Sequence, residues 1–290
     1  MVSLAEGKTD EAIGFYNSAL AIDGAHFNAL RGLTSIYAAQ KKTVEAHARV
    51  DQAIASQPNN ASLHFLKGRI YGVEMNAQAA ETELRRALEI DSNYLAAYSA
   101  LAALFVNTNQ QQRAIEEYRR IVERQPDNPA IYTLIGMLEM AQQNIDAAID
   151  NYRKAVSLDQ NATFAANNLA WLYAIYGKGN LDEAVRLAQS AVQANPEVSS
   201  FVDTLGWVYY KKGLYAVAAE QLQKAVTVDE TVARRNNGTP SPTYHYHLGA
   251  ALAAKGEKAA ARREIENALK LSEKTVFPEA DEARKALATL

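Results

Sequence analysis

Cysteine is absent from the 290 residues. That excludes thiol nucleophiles, disulfide frameworks and zinc sites built on thiolates, and leaves the redox compartment open. Neither sign of charge is in surplus: 30 basic residues stand against 33 acidic ones, for a formal net charge of −3. A protein that grips a phosphate backbone needs an excess of cations, so nucleic acid is not an expected partner. Long apolar runs are missing too. None approaches the roughly 20 residues of a membrane span, and the first seven residues lack the basic flank and apolar stretch of a signal peptide. Breakers are scarce, with 14 Gly and 7 Pro. What is abundant instead is alanine, 54 residues of it, the best helix former. The composition describes a helical chain able to bury a large core.

The alanines are not scattered. Leu33, Leu101, Ile135, Leu169, Leu205 and Leu248 occupy one position of a repeating pattern, each followed by a small residue: Thr34, Ala102, Gly136, Ala170, Gly206 and Gly249. Lys67-Gly68 fills the same slot imperfectly. Twelve residues after the small one, or fourteen where two are inserted near 176–180, comes an alanine, with a second usually seven residues on. The pairs are Ala12/Ala19, Ala46/Ala53, Ala80/Ala87, Ala114/Ile121, Ala148/Ala155, Ala184/Ala191, Ala218/Ala225 and Ala261/Ala268. Fifteen of the sixteen positions are alanine where the overall composition would supply about three, so the 34-residue period is real. Alanines seven apart mark one stripe of a helix whose missing bulk lets a partner helix approach. Each repeat is therefore expected to be a tightly packed helix pair, with Pro58, Pro126 and Pro196 stopping second helices.

This pattern, as in Val202-Asp203-Thr204-Leu205-Gly206-Trp207-Val208-Tyr209-Tyr210-Lys211-Lys212-Gly213 followed by Ala218 and Ala225, resembles the tetratricopeptide repeat over nearly the whole chain. The resemblance implies an all-α, right-handed α-solenoid of helix-turn-helix repeats over 1–275. Repeats start at Phe27, Ala61, Leu95, Pro129, Thr163, Ser199 and Pro242, after a partial repeat at 1–26. The amphipathic segment 276–290 reads as a C-terminal capping helix. No matching cap is visible at the other end, so Met1 is expected to open an excised fragment, and the exposed first helix offers a route to oligomerisation.

In the resembled architecture the first helices line a ligand groove. Along 27–137 the groove positions include Arg31, Phe65, Arg69, Val73, Ser99, Ala103, Thr133 and Met137, a weakly polar set without a charge cluster. The later repeats place Phe164, Asn167, Trp171, Asp203, Trp207, Tyr210, Lys211 and Tyr246 there, which gathers both tryptophans of the chain on one expected surface. Tryptophan and tyrosine offer large apolar area with a polar tip, which suits an extended peptide or, by ring stacking, a glycan. The alternative is that these rings pack against the next repeat. The dicarboxylate clamp of chaperone-binding relatives and the asparagine ladder of glycosyltransferase-linked relatives both lack their residues here. The polar excursion 230–241, with Arg234 and Arg235, is expected to leave the solenoid as a surface loop and a secondary contact site. His245 and His247, two apart on a helix, point roughly 200° away from each other and cannot share a metal. Glu139 and Lys67 are polar residues in slots that usually hold apolar ones.

No paired acids, activated nucleophile, phosphate loop or metal-ligand spacing is present, so the chain reads as non-catalytic, without cofactor or metal. The expected function is a scaffold that holds a protein or peptide partner in the groove. The strings around Trp171, Trp207 and Tyr246 resemble those of bacterial envelope repeat proteins linked to exopolysaccharide export. That favours the periplasm or cell envelope over the cytoplasm. A polysaccharide-binding subunit and a regulatory module of a larger protein are the other readings.

Overall fold

The computed structural model describes residues 8–290, and among these it contains sixteen α-helices and no strand. The chain divides into two compact units, Met1–Asp127 and Asn128–Leu290. The first holds α1 (Thr9–Ile22), α2 (Phe27–Ala39), α3 (Thr43–Ser56), α4 (Ala61–Val73), α5 (Ala77–Ile90), α6 (Leu95–Asn107) and α7 (Gln111–Arg124). The second holds α8 (Pro129–Ala141), α9 (Ile145–Leu158), α10 (Thr163–Tyr176), α11 (Leu181–Ala194), α12 (Ser199–Lys211), α13 (Tyr215–Arg235), α14 (Pro242–Lys255), α15 (Lys258–Leu271) and α16 (Ala280–Thr289). The even-numbered helices α2 to α14 begin at the seven residues where the sequence period restarts.

The period is built from two local devices. One is a sharp turn: Lys41, Met75, Asn109, Gln143, Gly177, Gly213 and Gly256 all adopt positive φ at the fifteenth position of their repeats, and end the first helix there. The other is close approach. A Cβ on Gly136 would stand 2.7 Å from the Tyr152 ring, and one on Gly206 would stand 2.6 Å from Leu222 Cγ, so in these two repeats a larger residue at the eighth position forces the large side chain facing it, or the helix that carries it, to shift. The paired alanines Ala148, Ala155, Ala184, Ala191, Ala218 and Ala225 are fully buried where the second helix meets its neighbours. Asparagine closes several open helix ends: Asn60, Asn128 and Asn180 each accept a backbone N–H through Oδ1 at the N-cap of α4, α8 and α11.

The unexpected interior polar groups are satisfied locally. Lys67 forms ion pairs with Asp51 (2.9 Å) and Glu83 (3.3 Å). Burial alone would disfavour its charge, but the two carboxylates outweigh this and raise its pKa above the usual lysine value. Glu139, buried in α8, accepts a hydrogen bond from Asn144 Nδ2 at 2.9 Å.

One expectation is overturned. The segment 230–241 is not a loop throughout, because α13 continues unbroken to Arg235 and puts Arg234 and Arg235 on its last turn. No breaker interrupts 215–235, and two arginines at a helix C-terminus complement its negative dipole end. The helix stops only at Asn236–Asn237, where Gly238 N–H donates back to Ala233 O at 2.8 Å. Asp229 pins the return: it accepts from Ser241 N at 2.6 Å and from Ser199 Oγ at 3.3 Å. At the end of the chain α16 buries Ala283 beside Ile265, Ala268 and Phe277.

Candidate functional site

Three consecutive first helices of the second unit carry the expected groove aromatics, with the tryptophans on α10 and α12 and Tyr246 on α14. Helical spacing puts Asn167 and Trp171 on one stripe of α10, Asp203 and Trp207 on one stripe of α12, and Tyr246-His247 on α14. The structure does not expose this set evenly. Phe164 is 61% exposed and Lys211 is exposed, while Trp171, Tyr210 and Tyr246 are half-buried. Asn167, Asp203 and Trp207 are buried.

The foundation of the site is a contact that sequence spacing does not suggest. His247, only 1% exposed, faces Asp203 through Nδ1, at 2.9 Å from Oδ1 and 3.0 Å from Oδ2. Its ring lies 3.9 Å from that of Trp207 at an interplanar angle of 18°, while Tyr210 stacks on the same indole at 4.5 Å and 11°. Two rings at such small offsets collide if they share a face, so His247 and Tyr210 cover opposite faces of Trp207. The expectation that Trp207 stacks on a ligand is therefore corrected: its indole is the filling of a sandwich, and neither peptide nor sugar can lie on it. Asn167 and Asp203, read as groove contacts, are likewise floor rather than surface. Trp207 Nε1 and Asn167 Oδ1 are buried without a hydrogen-bond partner.

What reaches solvent sits on this floor. Trp171 lies 5.8 Å from His247, Tyr246 contacts Phe277 edge-on at 6.0 Å, and the Lys211 ammonium stands 5.3 Å from the Trp207 centroid. Burial raises the Tyr210 and Tyr246 phenols above their ordinary pKa, so both are hydrogen-bond donors at neutral pH. Toward the start of the unit, Phe164 packs edge-on against Phe201 at 5.2 Å. It also walls an apolar recess of about 390 Å³ shared with Leu134 and Met137 of α8. The remaining histidine of the pair turns away: His245 Nδ1 bonds Glu264 Oε2 at 2.8 Å, so the two imidazoles diverge. Arg234 and Arg235 are exposed on α13 and belong to no part of this cluster.

Two other tyrosines of this unit, Tyr152 of α9 and Tyr244 of α14, give its stability a pH signature. Tyr152 is pushed up to about 12 by burial, against a smaller downward effect of its bond with Asn168. Tyr244 is also pushed up to about 12, first by burial and then by the charge of Asp203, with Ser199 working downward. A phenol whose pKa is raised in the folded state ionises first in the unfolded chain, so stability is intact below about pH 10 and falls as pH rises toward 12. We expect a loss of about 2 to 3 kcal/mol from Tyr152 by pH 12, and somewhat less from half-buried Tyr244. Urea titrations at pH 9 and pH 11.5 measure it, and Tyr152→Phe should remove about half of the difference.

Comparison with known proteins agrees with this architecture. Tetratricopeptide repeat profiles match residues 3–70, 74–138, 129–161, 169–231 and 204–275. Bovine (Bos taurus) BBSome complex member BBS4 is 39% identical over 54 residues, which is 19% of this chain and 10% of that protein. This chain thus matches only a tenth of that relative's length. The structure of the APC/C hetero-tetramer Cut9-Hcn1 superposes over 97% of this chain and 52% of the other at a TM-score of 0.60 and 16% identity. YrrB, a tetratricopeptide-repeat protein with an unusual peptide-binding site, superposes over 65% of this chain and 97% of its own at a TM-score of 0.53 and 20% identity. At such identities the structural likeness speaks for the fold, an all-α repeat solenoid, and the profile matches along most of the sequence decide the family: the chain belongs to the tetratricopeptide-repeat proteins.

Proposed function

We propose that this protein-binding scaffold holds an extended segment of a partner protein against the face formed by α10, α12 and α14. Trp171, Tyr210, Tyr246, Phe164 and Lys211 make the contacts, and Asn167, Asp203, Trp207 and His247 act as their rigid support. The observation that carries this reading is the sandwich itself. Half-exposed aromatic groups held on a buried, hydrogen-bonded stack lose little conformational freedom on binding, which is the property of an interface hot spot. A peptide supplies both apolar side chains for the Phe164 recess and carbonyl groups for the Tyr210 and Tyr246 hydroxyls. The strings around Trp171 and Trp207 support a place in an envelope or exopolysaccharide-export assembly, and the identity of the partner tests that.

The decisive variant leaves Asp203, Trp207 and His247, the buried members of the stack, in place. Trp171→Ala/Tyr210→Ala, confirmed folded by circular dichroism, should bind a partner captured by the wild-type chain at least about tenfold more weakly, the loss of one to two hot-spot side chains. Undiminished capture by the folded double variant would sink the proposal.

A further inference from the structure

The far end of α13 differs from every other second helix. It runs for 21 residues where α3, α5, α7, α9, α11 and α15 run for 14. Beyond Val226 none of its residues is buried, and Thr231, Val232, Arg234 and Arg235 are exposed. This stretch stands on backbone hydrogen bonds rather than on packing, so its opening costs little and leaves the repeats below it folded. Asp229 marks where the opening stops, because its bond to Ser241 N at 2.6 Å ties the two ends of the excursion together.

The helix closes on a Schellman cap. Asn237 takes the left-handed conformation, with φ 52°, and Gly238 N–H donates to Ala233 O at 2.8 Å. Asparagine suits that place, because it enters the left-handed region more readily than most residues that carry a side chain. Nothing in the cap requires the glycine that follows. The φ of Gly238 lies outside the left-handed region, and a Cβ on it would meet nothing nearer than 3.8 Å. Asn237-Gly238 is the one Asn-Gly step in the sequence, and both residues are exposed to water.

We propose that Asn237 is a modification site, a spontaneous deamidation gated by this cap. The backbone nitrogen of Gly238 attacks Cγ of Asn237: an N–Cγ bond forms, the Cγ–Nδ2 bond breaks, and the proton of the attacking nitrogen, relayed by water, leaves on ammonia. The product is a succinimide ring. Water then opens the ring at one carbonyl to give aspartate, or at the other to give isoaspartate. Glycine brings no side chain beside the attacking nitrogen and so hinders this step least. In the closed cap the proton that must depart is held on Ala233 O, so the reaction runs only from the opened turn. In isoaspartate the backbone passes through the former side chain, which adds a methylene between Ala233 and Gly238 and takes their bond out of register. Arg234 and Arg235 then lose the capped turn that holds them. The modification is a one-way record of how long the end of α13 has stood open.

The test incubates the full-length chain at pH 8 and 37 °C, folded and in guanidinium chloride, and follows each asparagine by mass spectrometry of proteolytic digests. In the unfolded chain Asn237 should convert first. In the folded chain it should convert about tenfold more slowly, the ratio set by the opening of an exposed, capped turn. Ala233→Gly weakens the last turn and leaves the reacting pair intact, so it should speed the folded chain about fivefold and keep the unfolded rate within about twofold. Hydrogen exchange at Gly238 reports the same opening without the chemistry, and should quicken in step. Circular dichroism verifies that the variant is folded. Another asparagine converting first in the unfolded chain overturns the site. Equal rates in the folded and unfolded chains overturn the gate, as does a folded rate that Ala233→Gly leaves unmoved while exchange at Gly238 quickens.

Discussion

Asp203→Ala should destabilise the C-terminal repeats by about 3 kcal/mol, far more than an average substitution. Asp203 is 4% exposed, and its two oxygens are all that His247 Nδ1 meets. Without them a buried imidazole keeps its desolvation cost and loses its compensation. The damage spreads because the same imidazole is one of the plates that clamp Trp207. In a repeat protein stability is local, so the effect should appear as faster hydrogen exchange in α12 and α14 while α2 to α6 keep their protection. Asp203→Asn, which keeps one acceptor, should cost about 1 kcal/mol. The double replacement Asp203→Leu/His247→Phe should recover most of the loss, since an apolar pair of similar volume removes the unmet polar group altogether. A loss below about 1 kcal/mol in Asp203→Ala would mean that His247 finds another partner, and that the stack does not depend on this pair.

That pair also shows where sequence reading stops. The seven helix starts were legible because the small eighth residue and the paired alanines recur with the period, and each reports a contact inside one repeat. The same period puts Phe164, Trp171, Tyr210, Lys211 and Tyr246 on first helices, α10, α12 and α14. The burial of Trp207 was not legible, because it depends on what the next repeat lays over it. His247 reaches Asp203 across 44 residues, and the excursion after α13 intervenes. The pairing is visible only if the fifth position of one repeat is set beside the sixth of the following one. The excursion itself was misread because its turn formers begin only at Asn236, while Thr231-Val232-Ala233-Arg234-Arg235 can extend a helix already nucleated.

Size matching within a repeat yields the other large effect. Tyr152 of α9 is fully buried, with its ring where a Cβ of Gly136 would have to stand, and its hydroxyl accepts from Asn168 Nδ2 at 3.1 Å. Tyr152→Val should therefore cost about 4 kcal/mol, from the cavity between α8 and α9 and from the hydrogen bond lost to α10. Gly136→Thr alone should cost about 2 kcal/mol or more, because it drives a branched side chain into the ring. The first full repeat uses the opposite allocation, with Thr34 at the eighth position and Val50 sixteen residues on, both buried. Combining Gly136→Thr with Tyr152→Val copies that arrangement, so the second substitution should stabilise the protein carrying the first by more than about 1 kcal/mol, a coupling of inverted sign. Simple addition of the two losses would mean that α8 and α9 change their spacing differently for each substitution, apart for the one and together for the other. Inverted coupling would instead show that the spacing of the helix pair is held constant and that only the total volume across the eighth position is free to be divided.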